Sequence, residues 1–243
     1  MLATICATIL LLSPTGVSPD SVKISPVQIL KKADARRTIK GAKKVDVTIE
    51  VYTENSLSNS DNYEVLAKGD DKTLIKSYSN DELQRLILSV QNNMWVYYPN
   101  TRKPLRISPL QRMMGQVSNA DITRINFSSD YMPELLKTET VNGEECYVLQ
   151  LKLQEDAKHT YPKIRYWVAK DDFKPIKAEF CLVSGKILKS AYYEEYREGI
   201  LYKTRIESAL RNDQYSLIYY NKIVSKEIPD IYFNKNYIRR LIE

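Results

Sequence analysis

Alternation of apolar and polar residues dominates this chain. From Lys44 to Val51 the sequence KVDVTIEV alternates strictly, which marks a strand with one buried and one wet face. Tyr63–Lys68 and Thr73–Tyr78 flank Gly69-Asp70-Asp71, a hairpin signature, and Leu83–Val90 turns at Gln91-Asn92-Asn93 into Met94–Tyr98. Strands are expected over 145–153, 163–170 and 174–183, then over Ile187–Tyr196, Leu201–Leu210 and Tyr215–Val224. In the first three, the residues sharing one face are Tyr147, Leu149, Leu151 and Leu153; Ile164, Tyr166 and Val168; and Ala178, Phe180 and Leu182. Charged residues occupy the other face: Asp46, Glu50, Lys152, Arg165, Lys177 and Glu179. Asn55–Asn62 is polar throughout and reads as a loop.

Helical spacing is rare. Val27, Ile29, Leu30 and Ala33 follow Ser25-Pro26, a capped start with proline in the first turn, and predict a helix from Val27 to about Lys40. A second departure is the stretch 94–127, MWVYYPNTRKPLRISPLQRMMGQVSNADITRINF. Its first residues are apolar on both faces. A basic, proline-punctuated turn follows, with Arg102, Lys103 and Arg106. Leu110, Met113 and Met114 then suggest one or two amphipathic turns, and Ser118-Asn119-Ala120-Asp121 looks like a helix start. Long, Met-bearing excursions of this kind are lids or binding segments in many domains. The alternative is a surface connector whose methionines plug a gap in the core.

The expected fold is mainly β, an α+β chain built on one large antiparallel sheet. A sheet of this length must close on itself or be covered. The candidates for cover are the N-terminal helix and the 108–125 excursion. At 243 residues and 43% hydrophobic, the chain can bury a sizeable core as one domain.

The apolar run Leu2–Leu12, followed by small residues to Ser18, reads as a secretory signal and sets the expected boundaries at 1–18 and 19–243. No Lys or Arg precedes Lys23, so the missing basic region points to a start codon placed too far downstream. Export would permit a disulfide between Cys146 and Cys181. Their strand positions argue against it: a strand lies between them, leaving roughly 10 Å laterally, and they fall near opposite ends of the sheet. Bridging needs Cα atoms within about 7 Å, so two buried free thiols are expected.

Catalytic patterns are absent. The sole histidine, His159, has no ligand partner at metal spacing, and the chain contains no G-x-S-x-G, P-loop, C-x-x-C or H-E-x-x-H. The paired acids (Asp70-Asp71, Glu144-Glu145, Asp171-Asp172, Glu194-Glu195) sit in turns or point to opposite faces of a strand. Neither enzyme activity nor a metal or cofactor is expected. The net charge of +6 comes from 36 basic and 30 acidic residues mixed along the chain. It suits anionic headgroups or a membrane surface at least as well as nucleic acid, and export makes nucleic acid an unexpected partner.

Four segments, WVYYPNTRKPLRIS, QRMMGQVSNADITRINF, NGEECYVLQL and TYPKIRYWVAKDDFKPIKAEFCLVSGKILKSAYYEEY, resemble in order the outer-membrane lipoprotein-sorting family, relatives of the periplasmic carrier LolA. The resemblance runs from about Trp95 to Tyr196. It implies an incomplete barrel with a helical lid over a cavity for acyl chains, and a monomeric periplasmic carrier of lipid or lipoprotein that works with a membrane transporter. On that implication, Trp95, Tyr97, Met113, Met114, Tyr147, Leu149, Tyr166, Val168 and Phe180 would line the cavity, with Arg102, Lys103 and Arg106 meeting headgroups or a partner. The family's ligand-switch arginine has no local match here. The reading from another class is an accessory module that docks to an envelope transport complex without cargo.

Overall fold

The computed structural model describes residues 24–241 apart from Asn92, Arg102, Arg124, Ile125 and positions 156–160. The expected signal segment 1–18, Arg102 and His159 lie outside those residues. A helix, α1 (Pro26–Arg37), begins the described chain, with Ser25 and Gln28 forming a reciprocal capping box and Pro26 in the first turn. It stops three residues before the expected Lys40, because Thr38 is already extended.

Six strands follow: β1 (Lys43–Thr53), β2 (Ser56–Lys68), β3 (Lys72–Ser79), β4 (Glu82–Val90), β5 (Asn93–Tyr97) and β6 (Leu105–Ile107). A crossover carries β7 (Arg112–Met114), β8 (Val117–Ser118), the short helix α2 (Asn119–Thr123) and a tight turn at Phe127–Ser129. The second strand series is β9 (Tyr131–Val141), β10 (Glu144–Leu153), β11 (Lys163–Ala169), β12 (Pro175–Cys181), β13 (Ile187–Arg197), β14 (Ile200–Ser208) and β15 (Arg211–Ser225). The chain then returns through Asp230–Phe233 and α3 (Lys235–Ile238).

Among the described residues, thirteen strands form one antiparallel sheet in the order β6-β5-β4-β3-β2-β1-β15-β14-β13-β12-β11-β10-β9. Two meanders are therefore joined at a central seam, where β1 pairs with β15 from Lys43↔Ser225 to Thr53↔Gln214. The sheet does not close into a barrel: its edges are β6 and β9. The crossover leaves one edge and enters the other, so its path is set by topology.

One face of the sheet holds the main core. Val45, Val47, Ile49, Val65, Ile75, Ile87, Met94, Leu149, Leu151, Ile164, Tyr166 and Ala178 lie there, with Ile29, Leu30 and Ala33 of α1 packed among them. The opposite face carries a second cluster, Leu66, Leu74, Leu86, Leu88 and Tyr97, covered by Ile228, Phe233 and Ile238 of the C-terminal return. That face also carries a small third cluster, Cys146, Val148 and Trp167, and expected charged positions: Glu179, for example, sits between Arg165 at 3.2 Å and Lys177 at 2.7 Å.

Three expectations about the strands need correction, and one strand was not expected. Residues 56–62 form the first half of β2 rather than a loop, paired backbone to backbone with β1 although almost all their side chains are exposed. The region of Met113 and Met114 is a two-strand hairpin, not helical turns, because it reverses at Gly115 with φ +53°. Leu182 lies beyond the end of β12 and is exposed rather than inward. Strand β9 went unpredicted. Cys146 and Cys181 are buried and free, registered at opposite ends of β11 against Ala169 and Lys163.

Candidate functional site

The crossover lies across the inner face as a lid, fastened at three places. First, the β7–β8 hairpin seats Gly115 so closely that a Cβ there would collide with Ser216 Oγ and Val51 Cγ2. The Gln116 amide donates to Ser216 Oγ at 2.9 Å, and Gln116 Nε2 to Gln214 Oε1 at 2.6 Å. Arg85 donates to the Met113 carbonyl at 3.1 Å, and Tyr63 OH meets Met114 Sδ at 3.5 Å. Second, Asp121 of α2 forms a buried ion pair with Lys189 of β13. The same carboxylate accepts from the Ser118 amide at 2.7 Å and its hydroxyl at 2.9 Å, and Ser118 Oγ lies 3.0 Å from Tyr161 OH. Third, the two oxygens of Asp34 on α1 accept from the Phe127 and Ser128 amides at 3.1 and 2.7 Å, while the Arg37 guanidinium lies 4.1 Å above the Phe127 ring.

The second and third fastenings place charged groups out of water. Burial pulls the Lys189 pKa below the usual lysine range, against the attraction of Asp121. Burial pushes Asp34 above the usual aspartate range, although Arg37 and the two amides favour its anion. The phenols around them stay protonated at neutral pH, since burial raises Tyr161, Tyr166 and Tyr193, and pushes Tyr220 up to about 12.

Beneath the lid, Arg37, Asp121, Phe127, Tyr161, Phe180 and Tyr193 surround a residual space of about 20 Å³. That is room for about one water molecule. The crossover thus fills the space above the inner face almost completely. Met113, Met114, Val117, Ala120, Ile122 and Phe127 of the crossover are all buried in the main core.

The residues expected to line a cavity separate into two groups. Leu149, Tyr166, Val168 and Phe180 are buried on the inner face, Tyr147 packs at its margin, and Met113 and Met114 meet it from the lid. Trp95 and Tyr97 do not belong with them. Strand parity puts Met94 and Val96 inward, so Trp95 and Tyr97 lie on the outer face under the C-terminal return. There Lys235 Nζ stands 4.4 Å from the Trp95 ring, and Tyr97 OH donates to the Lys235 carbonyl at 3.2 Å. Lys103, just before β6, and Arg106, within it, are exposed, with Arg106 donating to Asn93 Oδ1 at 2.8 Å.

Sequence reasoning missed the polar part of the site, although its signals are present. Asp34 and Arg37 fall on the same helical stripe as Ile29, Leu30 and Ala33. Lys189 shares the inward parity of Ala191 and Tyr193. In each case a charged residue occupies a core position of its periodic pattern.

Among the described residues, no group of three or more His, Cys, Asp or Glu could hold a metal, and no helix is long and apolar enough to cross a membrane. A family model described as "Uncharacterized protein" matches residues 69–240. No curated protein is matched by this sequence. A LolA superfamily protein from Nitrosomonas europaea is similar at 34% identity, with a TM-score of 0.81 over 88% of this chain and 99% of that one. A putative outer membrane lipoprotein-sorting protein domain from Vibrio parahaemolyticus shares the fold at 19% identity, with a TM-score of 0.69 over 88% of this chain and 98% of that one. By the extent and identity of the Nitrosomonas match, together with the half-closed sheet and its lid, this chain belongs to the LolA superfamily.

Proposed function

We propose that this chain is an exported, periplasmic carrier that holds the acyl chains of a lipid or lipoprotein between its inner sheet face and its lid. The observation that carries this reading is the crossover itself. It packs on the main core of the sheet's inner face, yet it is not hydrogen-bonded into the sheet ladder and is held by side-chain fastenings that water can replace. Each methylene an acyl chain buries is worth about 0.8 kcal/mol. A chain of ordinary length therefore offsets the lid contacts it displaces, even after its own ordering is counted. Membership of the LolA superfamily supports the reading, as does the fold shared with a lipoprotein-sorting domain. Lys103 and Arg106, exposed at the β6 edge, are the proposed contacts with a membrane partner.

Extraction of the purified protein and mass spectrometry of the extract should find co-purified lipid. In Met113→Asp with Met114→Asp, binding of a fluorescent fatty acid or lipopeptide should weaken while the sheet stays folded. If the double variant unfolds, the methionines are plain core. If it folds and binds as before, the crossover is only a connector, and the accessory docking module becomes the better reading.

A further inference from the structure

A second and larger cavity opens away from the closed space, where the end of α1, the start of β1, the β2–β3 turn and the end of the lid meet. Its volume is about 460 Å³, within the range of small-molecule sites, roughly 300–1,000 Å³. Three lysines line it. Lys31 and Lys40 stand exposed on its walls, and Lys43 lies deeper, 4% exposed. Lys43 Nζ donates to the Ile39 carbonyl at 2.6 Å, which uses one of the three donors of an ammonium. Burial also lowers its pKa, against the pull of Asp70. Beside it the Thr38 hydroxyl is buried without a hydrogen-bond partner, a cost that a bound polar group would remove.

The two acids of this mouth are already engaged. Asp34 accepts the lid amides of Phe127 and Ser128, and Asp70 accepts from Asn126 of the lid. These amides leave the carboxylate charges in place, but the three lysines outnumber the two acids, so the formal charge of the mouth is positive. Inward, a narrower recess shares Thr38, Lys43 and Asp70 with the mouth and ends on Val45, Val65 and Ile122, all members of the main core. Cationic walls outside and an apolar throat inside match the two ends of an amphiphile. The contacts that shut the throat, at Asp34 and Asp70, are also the last fastenings of the lid on this side.

We propose that this mouth is the entry port and headgroup subsite for an anionic amphiphile: a carboxylate or phosphate is held by Lys31, Lys40 and Lys43 with the Thr38 hydroxyl, while the acyl chain passes over Val45, Val65 and Ile122 beneath the lid. The assignment rests on the carrier reading above and narrows it to ligands charged next to the chain.

The test compares a fluorescent fatty acid with the matching fatty alcohol, and phosphatidic acid with diacylglycerol of the same chains, on the full protein and on Lys31→Glu with Lys40→Glu. Both positions are exposed, so the variant should fold normally. The wild type should prefer each anionic member by at least about tenfold, the value of one charge-assisted hydrogen bond, and the preference should shrink with added salt. In the variant the preference should vanish while affinity for the alcohol is retained. A preference in only one pair identifies the source of the anion, fatty acid or phospholipid, and supports the subsite. Equal binding of acid and alcohol by the wild type, or an undiminished preference in the variant, overturns the subsite and leaves the carrier standing. Inorganic phosphate that binds the lysines without altering acyl binding also overturns it. If no amphiphile binds the wild type, the carrier reading itself fails.

Discussion

On the outer face, the C-terminal return lays Ile228, Phe233 and Ile238 onto Leu66, Leu74, Leu86 and Leu88. Its ion pairs, Asp230 with Lys68 at 3.1 Å and Lys72 at 2.8 Å, stay in contact with solvent. On the inner face, the lid lays Met114, Val117, Ile122 and Phe127 onto the sheet but also buries Asp121 against Lys189, and the amides of Phe127 and Ser128 against Asp34. Lifting the outer segment would expose apolar surface with nothing to replace it. Lifting the lid returns charges to water, which recovers much of their desolvation penalty, and on the proposed reading an acyl chain takes over the apolar contacts. A buried ion pair adds little net stability and serves better to fix where a segment sits. On the carrier reading proposed above, one face carries a permanent cover and the other an exchangeable one.

The largest effect that could break this comparison is on the permanent side. Phe233→Ala should cost about 4 kcal/mol of global stability, measured by denaturant unfolding, with acyl binding per folded molecule unchanged. A cost under about 1 kcal/mol, the level of ordinary surface changes, would make the outer return peripheral and the contrast empty. Next comes Lys189→Met, which strands the Asp121 carboxylate and should cost about 3 kcal/mol if the lid stays shut. Hydrogen exchange should locate the loss in amides 112–129 rather than across the sheet, and adding Asp121→Leu should restore most of it. Uniform acceleration of exchange would mean that the lid and sheet unfold as one unit.

Gly115→Ala should follow at about 2 kcal/mol, from positive φ and a collision with Ser216 and Val51. It should speed ligand exchange more than it lowers the melting temperature. The smallest effect is in pH. Folded Asp34 holds its proton more tightly than the unfolded chain does, so its stabilising contribution is full below the ordinary value of 3.8 and is lost as pH rises through the higher folded value. The stability difference between wild type and Asp34→Asn should therefore fall as pH rises through that window. A flat difference would show that Asp34 does not titrate with folding.

Much of this architecture was legible because alternation reports which face of a strand is buried. The β2–β3 and β4–β5 hairpins and the order from β10 to β15 follow directly from it, and so does the inward set Leu149, Tyr166, Val168 and Phe180. Strands whose side chains mostly meet solvent were invisible. The first half of β2 and most of β9 are stabilised by backbone pairing to a neighbour and leave no hydrophobic period. Trp95 and Tyr97 were misplaced for the opposite reason. Strand β5 is apolar on both faces, and nothing local says that a segment some 130 positions later, at Ile228–Ile238, returns to cover one of them. Asp34 and Lys189 were missed because polar residues at core positions look like errors of pattern until their partners are known.

The seam between β1 and β15 also sets the expected order of folding. Each meander is a series of neighbouring hairpins and can form from local contacts, whereas Lys43 must find Ser225 across almost the whole described chain. Until that search ends there are two small sheets, each with a raw edge and half of the inner apolar surface uncovered. Gly115 cannot seat before then, because its socket is made by Val51 of one meander and Ser216 of the other. Ligand capture should thus appear only in the final kinetic phase of refolding, and a protein stalled before zippering should be sticky rather than selective.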